Sequence, residues 1–235
     1  MSQKPKIFIG GDSWGCGEWK VQSNEGSGIA HKGLEQYFLD LGYSVINTSK
    51  GGVSNFASIR RLQISLSAYT ENDVVFWIQT EAFRDVPLNS LTQHILIANG
   101  VFNLGNNLLK ESYTRLNASK IKIYLLGGKQ DLNLDELKQF EYLTPLVPSW
   151  VRLLVGHVEE YKSLFPQCTE DDTMVNHIKL DSYTNDFKKQ VVDELYFYEE
   201  CFKMYKEDIF YPDGRHPNRH GHQILFDYIV KELNL

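Results

Sequence analysis

Short apolar runs alternate along this chain with longer stretches whose apolar positions recur every three or four residues, the first pattern reading as buried strand and the second as amphipathic helix. Lys6 to Gly10 is the first predicted strand, and it breaks at once into Gly10-Gly11-Asp12-Ser13-Trp14-Gly15-Cys16-Gly17, a loop in which glycine permits a sharp turn. Ile29 to Leu41 has helical spacing and stops at Gly42, which suits a helix C-cap. Ser44 to Asn47 is the second strand, followed by a small-residue loop from Thr48 to Asn55. Phe56 to Tyr69 reads as helix and Asp73 to Ile78 as the third strand, with a loop at Gln79 to Leu88. A long helical stretch runs from about Ser90 to Asn117, and Lys122 to Leu126 is the fourth strand. Beyond it the pattern weakens. Pro145, Pro148 and Pro166 interrupt it, and the apolar run Trp150 to Val155 is the candidate fifth strand. Asn185 to Lys206 is predicted as helix, Pro212 to Pro217 as a turn and Gln223 to Leu233 as a closing helix.

Strands alternating with helices at this spacing predict an α/β fold, a three-layer α/β/α sandwich around a mainly parallel central sheet. Residues 1–235 fit one domain, with an insertion or lid expected at about 129–183. Ligands of open parallel sheets bind beyond the carboxyl ends of the strands, so the loops at Gly11–Gly17, Thr48–Asn55 and Gln79–Asp85 converge on one candidate site.

Charge and composition narrow the partners. A formal net charge of −6, without a Lys/Arg-rich run, gives no counterion-release term on nucleic acid and no attraction to an anionic membrane. Three widely spaced cysteines, Cys16, Cys168 and Cys201, offer no C-x-x-C pair, which fits a reducing compartment. The apolar stretch near the start is too short for a signal peptide, and no run is long enough to span a bilayer, so the expected location is cytoplasmic. Oligomeric state leaves no mark in the sequence.

Among the loop residues Ser13 is the candidate nucleophile. A serine hydroxyl needs a base to take its proton and an acid to orient that base. Asp213 and His216 stand three apart in the predicted turn, a spacing that lets the carboxylate accept the Nδ1 proton while Nε2 faces outward. Pro217 is expected in the first turn of the following helix. Gly-Asp-Ser-Trp-Gly also matches the G-x-S-x-G elbow of α/β-hydrolases, but only one strand precedes it here, where that fold has several. His216, His220 and His222 lack a further carboxylate ligand beside Asp213, so neither metal nor other cofactor is expected. Cys16 is a rival nucleophile on paper, and a small buried residue by preference. Trp14 and Trp19 flank the serine and are read first as packing.

Taken in order, these blocks resemble the SGNH, or GDSL-type, hydrolase family. Gly11-Asp12-Ser13 after the first strand, Asn47-Thr48-Ser49-Lys50-Gly51-Gly52 after the second, and Asp213 and His216 before the last helix match its pattern over nearly the whole chain. The resemblance implies an esterase with Ser13 as nucleophile, His216 as general base and acid, and Asp213 as its orienting partner. It also implies that the backbone N–H groups of Ser13 and Gly52 contribute to an oxyanion hole, and that the substrate is a small-molecule or carbohydrate ester. The departure is Glu81, standing in Gln79-Thr80-Glu81-Ala82 where the family places an asparagine donor. A carboxylate only accepts hydrogen bonds. Three accounts fit: Glu81 turns away and pairs with Arg84; it is protonated in a buried site; or Gln79, Thr80 or Asn55 supplies the donor, the preferred expectation. An acyltransferase with the same triad, or a non-catalytic binding or structural protein on the same scaffold, is the alternative reading.

Overall fold

The computed structural model describes residues 4–20, 28–85, 102–128, 131–156 and 216–235. Its strands are β1 (Lys6–Gly10), β2 (Glu18–Trp19), β3 (Ile29–His31), β4 (Ser44–Asn47), β5 (Val74–Gln79), β6 (Ile123–Gly127) and β7 (Leu143–Val147). The helices are α1 (Leu34–Asp40), α2 (Asn55–Ser65), α3 (Phe102–Asn117), α4 (Leu134–Leu137), α5 (Trp150–Gly156) and α6 (Arg219–Leu233). Five strands form one sheet in the order β4-β1-β5-β6-β7, every pairing parallel. β2 and β3 form a separate antiparallel pair. This is an α/β/α sandwich.

The period-two alternation of the strands assigns the layers. On one face Ile7, Ile9, Phe76 and Ile78 pack with Leu34 and Phe38 of α1, Trp150, Val151 and Leu154 of α5, and Leu225 and Ile229 of α6. On the other, Phe8, Val75, Trp77 and Leu125 pack with Ile59 and Leu62 of α2 and Leu109, Tyr113 and Leu116 of α3. Burial on both faces is what makes β1, β5 and β6 read as continuous apolar runs. Because every pairing is parallel, each connection returns the chain and every strand of the large sheet points its carboxyl end to the same edge.

Three predicted elements are corrected. Trp150 to Val155 is not a strand. It lies in helix α5, where Trp150, Val151 and Leu154 fall on one buried face, and a short apolar run leaves helix and strand indistinguishable by pattern. The fifth strand is β7, hidden in the sequence by Pro145, which is tolerated because β7 is an edge strand with a register shift opposite Leu125/Leu126. The predicted helix from Ile29 begins instead as β3, because Glu18 and Trp19 pair with it, and the helix itself is only Leu34–Asp40. Gly42 takes a φ of +81° after that helix, as a C-cap glycine does.

The closing helix starts at Arg219, four residues before the predicted Gln223, and its cap is Asn218, whose side chain accepts from the Gly221 N–H. Pro217 therefore sits before the cap, not within the first turn. The predicted helix at 185–206, the start of the stretch from about Ser90, the turn residues 212–215, and 157–183 of the expected lid lie outside the described residues. Residues 131–156 of that lid region supply α4, β7 and α5.

Candidate active site

β1 delivers the chain to the sheet edge at Gly10, and Asp12 caps a single 3-10 turn spanning Ser13–Cys16 by accepting from the Trp14 N–H at 3.0 Å. The turn is pinned from the loop after β4. Thr48 N–H donates to the Ile9 carbonyl at 2.8 Å, Lys50 N–H to that of Gly11 at 3.2 Å, and the Asn47 amide to that of Gly15 at 3.0 Å. Gly15 is packed so closely that an added Cβ would lie 2.2 Å from the Ser49 hydroxyl. Ser13 is thus held rigidly at the mouth of the sheet, only 6% exposed.

From the far end of the chain His216 reaches the same place. Its Nε2 lies 2.9 Å from Ser13 Oγ. The Trp19 ring stands 5.9 Å from the imidazole, centre to centre, and its Nε1 donates to the Ser13 carbonyl at 3.2 Å. Asp213, the expected third member, lies outside the described residues.

The loop after β5 supplies a third side of the site. Gln79 is fully buried, its Nε2 donating to the Asp131 carbonyl and its Oε1 accepting from the Tyr113 hydroxyl. Asn55, also fully buried, clamps the backbone of Thr80: its Oδ1 accepts from the N–H at 3.0 Å and its Nδ2 donates to the carbonyl at 3.2 Å. The Thr80 hydroxyl donates to Glu81 Oε2 at 2.6 Å. Each of the three preferred neighbouring donors makes one bond to backbone or another side chain, and the Gln79 and Asn55 amides each carry a second N–H. Glu81 pairs with Arg84, Oε2 to Nε at 2.7 Å, which is the first of the three accounts open from sequence. The same guanidinium stands 3.6 Å from Asp12 Oδ2, so one cation faces two buried carboxylates. Gly52 is exposed with φ +73°, a left-handed conformation that glycine adopts without steric cost.

No family model and no curated protein matches this sequence. Among solved structures the chain is similar to the psychrotrophic esterase EstA from Pseudoalteromonas sp., at 16% identity and a TM-score of 0.43, over 99% of this chain and 100% of that one. It is also similar to the protein YXIM of Bacillus subtilis, at 15% identity and a TM-score of 0.43, over 99% of this chain and 56% of that one. A lipase/acylhydrolase from Enterococcus faecalis shares 14% identity at a TM-score of 0.40, over 97% of this chain and 95% of that one.

The electrostatics sort the candidate groups. Burial pushes the Asp12 carboxyl up from its ordinary value; Arg84 opposes this and Glu81 adds to it. Burial, reinforced by Asp12, pushes the Cys16 thiol up to about 11, so at neutral pH it stays protonated and is a poor rival to Ser13. Its Sγ–H donates to the Asp12 carbonyl instead. Trp14 is core, edge-on to Trp150, whereas Trp19 lies against the site.

His220 is exposed and His222 is fully buried, and no group of three or more potential ligands stands together among the described residues. The His222 ring is edge-on to Trp150, and neither of its nitrogens makes a hydrogen bond of good geometry. Burial drives its value down to about 3, with the Gly17 backbone pulling the other way and His31 and His216 adding to the depression. Sequence reading missed Glu18 and Arg219, which join beside His216, because nothing in their local pattern signals a partner two hundred residues away.

Proposed function

We propose that this chain is a serine hydrolase of carboxylic esters, acting through Ser13 and His216 with Asp213 as the orienting acid. The observation that carries the reading is the 2.9 Å separation between Ser13 Oγ and His216 Nε2. For Nε2 to take the hydroxyl proton, the imidazole must carry its own proton on Nδ1, and the D-x-x-H spacing of Asp213 and His216 suits a carboxylate that holds that tautomer.

In this mechanism Ser13 Oγ bonds to the acyl carbon as its proton passes to His216 Nε2. The tetrahedral oxyanion collapses, the C–O bond to the alcohol breaks, and His216 returns the proton to the departing alkoxide. Water, deprotonated by His216, then attacks the acyl-serine and releases the acid, and the proton returns to Ser13. The backbone N–H groups of Ser13 and Gly52 stabilise the oxyanion. Glu81 offers no donor, but its pairing with Arg84 keeps its carboxylate charge compensated. Absence of one oxyanion donor costs about 2.7–4 kcal/mol at the transition state, so slow turnover is expected. Short-chain esters or acyl groups on carbohydrate are the proposed substrates.

Hydrolysis of p-nitrophenyl acetate by the wild type and by Ser13→Ala tests the reading: the variant is expected to fall to background, and equal rates would end the nucleophile role. Labelling by a fluorophosphonate separates this reading from a non-catalytic protein on the same scaffold. A product assay with an acceptor sugar separates it from an acyltransferase.

A further inference from the structure

Two adjacent residues of the small β2–β3 pair touch both partners of the Ser13–His216 contact. The register of that pair shifts between Glu18 and Trp19, an irregularity of the kind that re-aims side chains. Trp19 faces the nucleophile side. Its Nε1 donates to the Ser13 carbonyl at 3.2 Å, and its ring stands 5.9 Å from that of His216. The benzo edge lies over Gly51, where an added Cβ would come within 2.9 Å of the ring, so only glycine leaves room for the indole.

Glu18 holds the start of the helix that follows His216. Its Oε2 accepts from the Arg219 backbone N–H at 3.2 Å and from Arg219 Nε at 2.7 Å. Arg219 is the first residue of α6 and follows His216 by three positions. Asn218 satisfies the Gly221 N–H in the same turn, so Glu18 takes up an N–H that the helix cannot satisfy itself, with its negative charge at the favourable end of the helix dipole. Tyr37 holds the same segment from α1 by donating its hydroxyl proton to the Arg219 carbonyl at 2.9 Å.

We propose that Glu18 and Trp19 are positioning residues, a two-sided clasp that fixes the distance and angle between Ser13 Oγ and His216 Nε2. The inference rests on the esterase reading and deepens it. The Arg219 side chain is 60% exposed. The Glu18 side chain is 17% exposed and caps a helix N–H, so its loss should lower the melting temperature by a few degrees, leave the fold intact and appear chiefly in the alignment of the reacting groups.

The test compares Glu18→Ala, Glu18→Gln, Trp19→Phe and Ser13→Ala with the wild type in p-nitrophenyl acetate hydrolysis, with thermal melts alongside. Glu18→Ala should lose on the order of 10- to 100-fold in kcat while KM stays close to wild type and the melting temperature falls by only about 2–4 °C. Glu18→Gln, which keeps an acceptor for the Arg219 N–H, should recover part of that loss. Trp19→Phe, which keeps a ring but loses the donor to Ser13, should lower kcat without raising KM. If Ser13→Ala is inactive while Glu18→Ala turns over at the wild-type rate, or loses only in KM, the clasp is refuted and the esterase reading stands. A crystal structure of Glu18→Ala tests the clasp without any substrate. The expected result is a His216 ring moved out of hydrogen-bonding reach of Ser13, and an unchanged separation would overturn the proposal whatever the enzyme's activity.

Discussion

Replacing His222 with leucine should make the protein markedly less sensitive to acid. The native ring is wholly buried, edge-on to Trp150 with centres 4.9 Å apart, and so tight against Gly33 that a Cβ there would lie 2.5 Å from Nδ1. Burial holds its value at about 3, against 6.5 for the free side chain. The sign follows from which state binds the proton first. The unfolded chain protonates this histidine near pH 6.5 and the folded one only near pH 3, so its contribution to stability is complete above the higher value and is lost as pH falls toward the lower. Between about pH 7 and about pH 4 that linkage amounts to roughly 3 kcal/mol. Leucine is close in volume, carries no proton and brings no polar atom of its own into the core, so the variant should lie within about 1 kcal/mol of wild type at neutral pH. Urea unfolding at several pH values measures both. The difference between wild type and variant should grow by about 3 kcal/mol on acidification in favour of leucine. Parallel stability curves would refute the assignment, as would a midpoint for His222 near 6.5 by NMR titration of the folded protein.

Other perturbations follow from the same geometry. Arg84→Met strips the cation from Asp12 and Glu81, both nearly buried, and should cost about 3–5 kcal/mol at neutral pH. Asp12 already has a raised value, so its protonated form favours the fold; thermal melts should show the Arg84→Met deficit shrinking as pH is lowered. Asn55→Ala removes both partners of the Thr80 backbone and should cost about 2–3 kcal/mol in urea unfolding. Gly17→Ala and Gly42→Ala form a contrasting pair, with φ +109° and +81°. The added Cβ meets the His31 carbonyl at 2.3 Å in the first and open space in the second. Thermal melts should show only about 1 kcal/mol lost at Gly42 and clearly more at Gly17.

The layers were legible in the sequence because β1, β5 and β6 are buried on both faces and read as unbroken apolar runs bounded by glycine or polar residues. β7 was not, since Pro145 breaks the pattern of a strand whose edge position tolerates it. The Trp150 run was mistaken for that strand because six apolar-rich residues fit either period. At the site, Ser13 and His216 were marked by small motifs with their own turn chemistry. Glu81 could be seen as out of place, but its pairing with Arg84 depended on a 3-10 turn, Ala82–Asp85, that brings the two side chains together. Trp19, six residues from Ser13, stood out in sequence as a flanking residue, whereas Glu18 and Arg219 pair across 201 residues and no local pattern records such a contact.

The hydrogen bond between Ser13 and His216 closes a loop of 203 residues. Joining two points that far apart in a flexible chain costs about 5 kcal/mol in entropy. A single hydrogen bond returns about 1 kcal/mol net, so this contact cannot drive its own formation. It exists because the layers on either side have already docked. On the proposed mechanism, reactivity toward a fluorophosphonate should therefore return during refolding only after those layers have docked.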